Sequence, residues 1–183
     1  MVLIVFFKFL SADHLNDFYR LLESPSVVKV KIKYTQTQFE SAFESLGACY
    51  LINNEEYYYE SNDIKVYAKG NQLTTKNYKT NQIVYSDIDR TQLNILDILS
   101  GSRDQIEFLD NNLHSNKYHF VIPSLEFKGY FKFQVGTGIL QSIQLIINSN
   151  QTIVINVLSM EILKGSFSPK MDTENFEIID FRD

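Results

Sequence analysis

Hydrophobic and polar positions alternate with a period of two along most of the chain. The clearest run is 28–36, in which Val28, Val30, Ile32 and Tyr34 fall on one face and Lys29, Lys31 and Lys33 on the other. A run with one apolar and one charged face belongs in an antiparallel sheet that is wet on one side. Comparable stretches occupy 43–52, 56–60, 64–68, 72–78 and 82–88, and again 106–109, 118–122, 127–135, 139–148, 152–163 and 176–181. Turn signals separate many of them, among them Asn53-Asn54, Asn62-Asp63, Lys69-Gly70-Asn71, Lys79-Thr80-Asn81, Gly136-Thr137-Gly138 and Asn148-Ser149-Asn150-Gln151. Roughly eleven or twelve strands, recurring about every ten residues, predict a sandwich, a barrel or one large curved sheet. Gly47, inside the second run, predicts a bend or the close approach of another group.

Two stretches break the alternation. Asp13 precedes Leu15, Phe18, Leu21 and Leu22 at helical spacing, and Ser24-Pro25 stops the pattern. In the middle, 89–101 opens on Asp89 and Gln92, the form of a capping box, and closes on Gly101, which suits a left-handed helix end. Leu93, Leu96 and Leu99, with Ile95 and Ile98 beside them, make a wide apolar stripe on barely three turns. Such a helix must lie on an apolar partner, either a permanent core or a cavity that receives a ligand.

Composition narrows the choice of function. At 183 residues the chain can bury a sizeable core without disulfide or metal, and 13–183 reads as a single domain with no repeat or linker. A net charge of −5 argues against the footprint of a nucleic-acid binder. The basic stripe Lys29, Lys31, Lys33 is a solvated strand face, or more sharply a surface for an acidic partner. Cys49 is the only cysteine, so no internal disulfide forms. The 14 Phe and 11 Tyr, with no Trp, supply flat apolar walls. Residues 1–12 are apolar and end on Leu10-Ser11-Ala12, like a cleavage site, but lack a basic start. They read as a truncated signal peptide or as an ordered first element, and are too short to span a bilayer.

Catalytic chemistry is hard to find. His14, His114 and His119 share no metal-ligand spacing with each other or with Cys49, and there is no phosphate loop and no nucleophile elbow. Glu55, Glu56 and Glu60 are turn and strand acids rather than a glycosidase pair. An isolated strand cysteine is ordinarily a small buried hydrophobe. No enzyme activity, metal or cofactor is expected.

The order of short motifs resembles one family. The first helix is followed by Tyr34-Thr35-Gln36, then Gly47-x-Cys49-x-Leu51, Tyr57-x-Tyr59, Lys69-Gly70-Asn71 and the central helix. Gly165-Ser166-Phe167-Ser168-Pro169 and Phe176-Glu177-Ile178-Ile179-Asp180 complete the pattern, so that most of 14–181 is covered. In this it is similar to the LolA-type outer-membrane lipoprotein carriers. The resemblance implies a mainly β fold, a strongly curved antiparallel sheet forming an incomplete barrel, with the N-terminal and central helices covering its concave face as a lid. It implies a periplasmic carrier that hydrolyses nothing. Such a carrier takes acylated lipoproteins from an inner-membrane ABC-type exporter and passes their acyl chains to an outer-membrane acceptor. A monomer is expected.

Matched position by position, the resemblance implies a concave wall of Val30, Ile32, Tyr34, Cys49, Leu51, Tyr57 and Tyr59, facing Leu93, Leu96 and Leu99. Periodicity alone reads the same residues as ordinary core. Enclosing one long acyl chain would gain roughly 10 kcal/mol or more, at about 0.8 kcal/mol per methylene, and a helix with few contacts of its own could open to release it. Members of the family often carry an arginine at the turn after the strand matching the Gly47 run, which latches the lid. Here that turn is Ile52-Asn53-Asn54, and Asn53 stands at the latch position without a charge. A carrier of another apolar ligand, and a non-catalytic β interaction module with an ordinary core, are the alternatives. An acceptor anchored through a lipidated N-terminal cysteine does not fit a chain whose only cysteine is Cys49.

Overall fold

The structure, a computed structural model, describes residues 13–53, 56–88, 94–109, 116–165 and 167–182. Helix α1 (His14–Leu22) starts where the Asp13 carboxylate accepts the backbone N–H of Asn16 at 3.2 Å. It buries Leu15, Phe18, Tyr19 and Leu22. The first meander follows as β1 (Val27–Gln38), β2 (Ser41–Asn53), β3 (Glu56–Ser61), β4 (Ile64–Lys69), β5 (Gln72–Asn77) and β6 (Gln82–Asp87). Helix α2 (Ile95–Ser100) leads into the second, β7 (Glu107–Phe108), β8 (Lys117–Ile122), β9 (Phe127–Phe133), β10 (Leu140–Asn148) and β11 (Gln151–Leu163). The short strand β12 (Glu177–Asp180) comes last.

All twelve strands form one sheet, in the order β12-β6-β5-β4-β3-β2-β1-β11-β10-β9-β8-β7. Its centre is the pairing of β1 with β11, which joins the two meanders antiparallel over the full length of β1. Every pairing is antiparallel except that of β12 with β6, which is parallel. The mainly β fold with two short helices is as the residues imply. The sheet is not strongly curled, however, which corrects the expectation of a strongly curved incomplete barrel. Bulges and register shifts are what bend a sheet sharply; they occur in the β1–β11, β10–β11, β9–β10 and β2–β3 pairings, while the β3–β4, β4–β5 and β5–β6 pairings have none, so that part of the sheet stays open.

One face carries the main core. Val28, Val30, Ile32, Cys49 and Leu51 from β1 and β2 meet Phe120, Phe131, Phe133, Ile143 and Ile155 of the second meander under α1 and α2. Phe18 and Tyr19 reach the second meander, with ring centroids 6.2 Å and 6.3 Å from that of Phe131. On the opposite face the segment 167–176 runs as a strap from the end of β11 toward β6. Phe167 stacks on Tyr50 at 4.2 Å, and Lys76, nearly buried, donates to the Asp172 carbonyl with its ammonium 3.9 Å from the Phe176 ring centroid. The β1 lysines lie on this face too. Lys33 pairs with Glu44 at 2.7 Å and Lys29 with Glu161 at 3.7 Å, so neighbouring strands partly neutralise the basic stripe.

Candidate functional site: an apolar cavity beside helix α2

Strand register divides the sheet into two ends. The turns β2–β3 and β4–β5, the start of β1 and both helices lie at one end. The turns β1–β2, β3–β4, β5–β6, β8–β9 and β10–β11 lie at the other, which neither α1 nor α2 covers; among the described residues its helical structure is the single short 3-10 turn Pro123–Leu125 between β8 and β9. The helices seal the first half of the inner face into core. Over the second half the face continues as a cavity of about 760 Å³, within the range of roughly 300–1,000 Å³ usual for small-ligand sites.

Its walls follow the two-residue period beyond the helices. Tyr34 and Gln36 come from β1, Phe43 and Ser45 from β2, and Tyr57, Tyr59 and Ser61 from β3. Ile64 and Val66 of β4 and Leu73, Thr75 and Asn77 of β5 continue one side. Leu125, Phe127, Leu145, Ile147 and Ile153 supply the other, and Asn94, Ile95 and Leu96 close the helix end. Gly47 makes room for one wall. A Cβ built there would stand 2.6 Å from the Tyr59 ring and 2.5 Å from the Glu60 carbonyl oxygen, so the aromatic lies where a side chain would be.

Of the residues expected on the wall, Tyr34, Tyr57, Tyr59 and Leu96 line the cavity. Val30, Ile32, Cys49, Leu51 and Leu99 lie in the packed core, each at most 2% exposed, because the helices cover that part of the face. Leu93 lies outside the described residues, as do Asp89 and Gln92. The wall residues that the family motifs do not reach, such as Val66, Leu145 and Ile153, sit on alternating strands, and alternation is the signal that places them on this face.

Helix α2 is capped by other residues than Asp89 and Gln92. The Asn94 side-chain oxygen accepts the backbone N–H groups of Leu96 and Asp97, at 2.8 Å and 3.1 Å, while Asp97 Oδ2 accepts the Asn94 N–H at 3.0 Å. Gly101 ends the helix in the left-handed conformation, as expected. Ile98 and Leu99 are fully buried, and the Tyr57 hydroxyl donates to Asp97 Oδ1 at 2.9 Å. The helix is therefore fastened more firmly than a lid with few contacts. Asn53, at the expected latch position, is exposed at the end of β2.

Burial raises the Asp97 carboxyl above the usual carboxylate range, against the hydrogen bonds from Asn94 and Tyr57 that lower it. Burial first, and then the Asp97 charge, push the Tyr57 phenol well above its ordinary value, so it remains a donor at neutral pH. Within the cavity the Tyr34 hydroxyl donates to Gln36 Oε1 at 2.9 Å, and the Tyr59 hydroxyl lies 3.4 Å from Ser45 Oγ. At the uncovered end Lys79 pairs with Asp63 at 2.7 Å. Among the described residues no group of three or more His, Cys, Asp or Glu side chains is placed to hold a metal, and no helix is long and apolar enough to cross a membrane.

No protein-family model matches the chain, and no curated protein is significantly similar to it. Similar solved structures do exist. An uncharacterized conserved protein from Thermus thermophilus is 9% identical, with a TM-score of 0.54 over 93% of this chain and 99% of that one. A LolA superfamily protein from Nitrosomonas europaea is 11% identical, with a TM-score of 0.52 over 84% of this chain and 93% of that one. At such identities what is shared is the fold, and the chain has a LolA-like fold: one mainly antiparallel sheet with two short helices on its inner face.

Proposed function

We propose that the protein is a non-catalytic carrier that holds an acyl chain of a lipoprotein in the cavity between α2 and the uncovered end of the sheet. The observation that carries this reading is the cavity itself, whose walls are mainly Tyr, Phe, Leu, Ile and Val side chains. Such a surface gains free energy when a hydrocarbon chain displaces its water. The LolA-like fold and the family's order of motifs support a place in the periplasm, between an inner-membrane exporter and an outer-membrane acceptor. The Tyr57–Asp97 hydrogen bond takes the part of a latch where the family's arginine is missing, and the uncovered end is the route of entry.

Native mass spectrometry of the protein mixed with a membrane-extracted lipoprotein tests the proposal. A complex of one carrier with one lipoprotein is expected, and recovery of free protein alone across several lipoproteins contradicts it. Leu96→Asp, which puts a charge on the wall, is expected to weaken uptake by about tenfold or more, or about 1.4 kcal/mol, in a protein that still folds.

A further inference from the structure

We propose that the same cavity also takes a free single-chain amphiphile of the lysophospholipid class, tail inward, with its phosphate and amine against Lys79 and Asp63. This rests on the acyl-carrier reading and adds a second ligand class to the same site.

Three observations lead there. The first is size. A cavity of about 760 Å³ suits one ligand in the range of roughly 300–1,000 Å³, which is the scale of one chain and not of several.

The second is a gradient of polarity along the cavity. Near α2 the lining is Tyr57, Leu73, Ile95 and Leu96, with Asn94, whose side-chain oxygen is taken up by the helix cap. At the uncovered end, on the side of β3 to β6, it becomes Ser61, Asp63, Asn77 and Lys79. The facing side stays apolar, with Leu125, Phe127, Ile147 and Ile153. A tail can therefore run inward along apolar wall while a polar head stops on one side of the rim.

The third is the built character of that rim. The Tyr78 N–H donates to the Asp63 carbonyl at 2.9 Å, which ties the β3–β4 turn to the β5–β6 turn. The Asn77 side-chain oxygen accepts the N–H groups of Lys79 and Thr80, at 2.9 Å and 3.2 Å, and fixes the turn that carries Lys79. The Asp63–Lys79 pair itself is exposed, the two side chains keeping 47% and 66% of their surface. An exposed ion pair holds its partners weakly. Lys79 can thus exchange Asp63 for a phosphate while Asp63 takes an ammonium, and a head group with both charges satisfies both residues at once.

Isothermal titration with monomeric lysophosphatidylethanolamine and with palmitic acid, on the wild type and on Asp63→Ala and Lys79→Ala, tests the proposal. One lysophospholipid per protein is expected. Lys79→Ala should weaken both ligands by about threefold to fivefold, the size of one exposed charge contact. Asp63→Ala should weaken the lysophospholipid by a similar factor and leave palmitate unweakened. If an alanine variant does not fold, Asp63→Asn or Lys79→Gln takes its place with the same expectation. Palmitate binding together with lysophospholipid affinity that neither variant lowers overturns the head-group assignment and leaves the acyl carrier standing. Two or more chains per protein overturn the single-chain assignment. Failure of both ligands to bind overturns this proposal and removes support from the carrier reading as well.

Discussion

The Tyr57 hydroxyl donates to Asp97 Oδ1 at 2.9 Å across 40 residues of sequence, and so fastens α2 to β3. The other carboxylate oxygen accepts the Asn94 N–H and completes the helix cap. One buried side chain thus both starts the helix and docks it. Tyr57→Phe leaves Asp97 Oδ1 without its donor inside the protein, and an unsatisfied buried acceptor costs about 1–3 kcal/mol. Chemical denaturation is expected to show a loss of that size. Hydrogen exchange should quicken in α2 before it quickens in β1 or β11, whereas uniform acceleration would mean that the bond does not fasten the helix in particular.

Asp97 also predicts a pH dependence. Its carboxyl titrates higher in the folded protein than in the unfolded chain, so between those two values the fold binds the extra proton. The stability it contributes is complete below the unfolded pKa of about 4 and is lost as pH rises through the folded value. Asp97→Asn removes the titration. The stability of the wild type relative to Asp97→Asn should therefore fall as pH rises from about 4 through that window. Parallel stability curves across the window would contradict the assignment.

Gly47→Ala sets two effects against each other. Replacing a strand glycine gains about 0.5–1 kcal/mol in chain entropy. The new methyl would stand 2.5 Å from the Glu60 carbonyl oxygen and 2.6 Å from the Tyr59 ring, and overpacking of this kind costs about 1–3 kcal/mol. The clash should win, giving a net loss of stability in thermal unfolding. Because the ring that must move is cavity wall, acyl-chain affinity should fall as well. A variant as stable as the wild type would show that the ring yields freely.

The strands were legible because alternation is local. The run 28–36 needs no knowledge of its neighbours to declare an inner face, and β1 (Val27–Gln38) extends it by one residue at its start and two at its end. The division of that face into core and cavity was not legible. Ile32 and Tyr34 are two residues apart on the same side of β1, yet Ile32 is fully buried in the core and Tyr34 lines the cavity. What separates them is where α1 and α2 end, which is a tertiary fact. The cap of α2 was not legible for a different reason. Asp89 with Gln92 and Asn94 with Asp97 both fit the capping pattern, and the cap at Asn94 is reinforced by the hydrogen bond that Asp97 accepts from the distant Tyr57. Nothing local could announce the parallel pairing of β12 with β6, which depends on the strap across the outer face.

The most direct measurement is photo-cross-linking from within the chain. A lipoprotein carrying a diazirine at the midpoint of one acyl chain is mixed with the protein, irradiated and mapped by peptide mass spectrometry. Labels are expected in peptides that contain Leu96, Phe127 and Leu145, from the helix and from the far wall of the cavity. Labels confined to the outer face around Tyr50 and Phe167, or no labels at all, would contradict the placement of the acyl chain in the cavity.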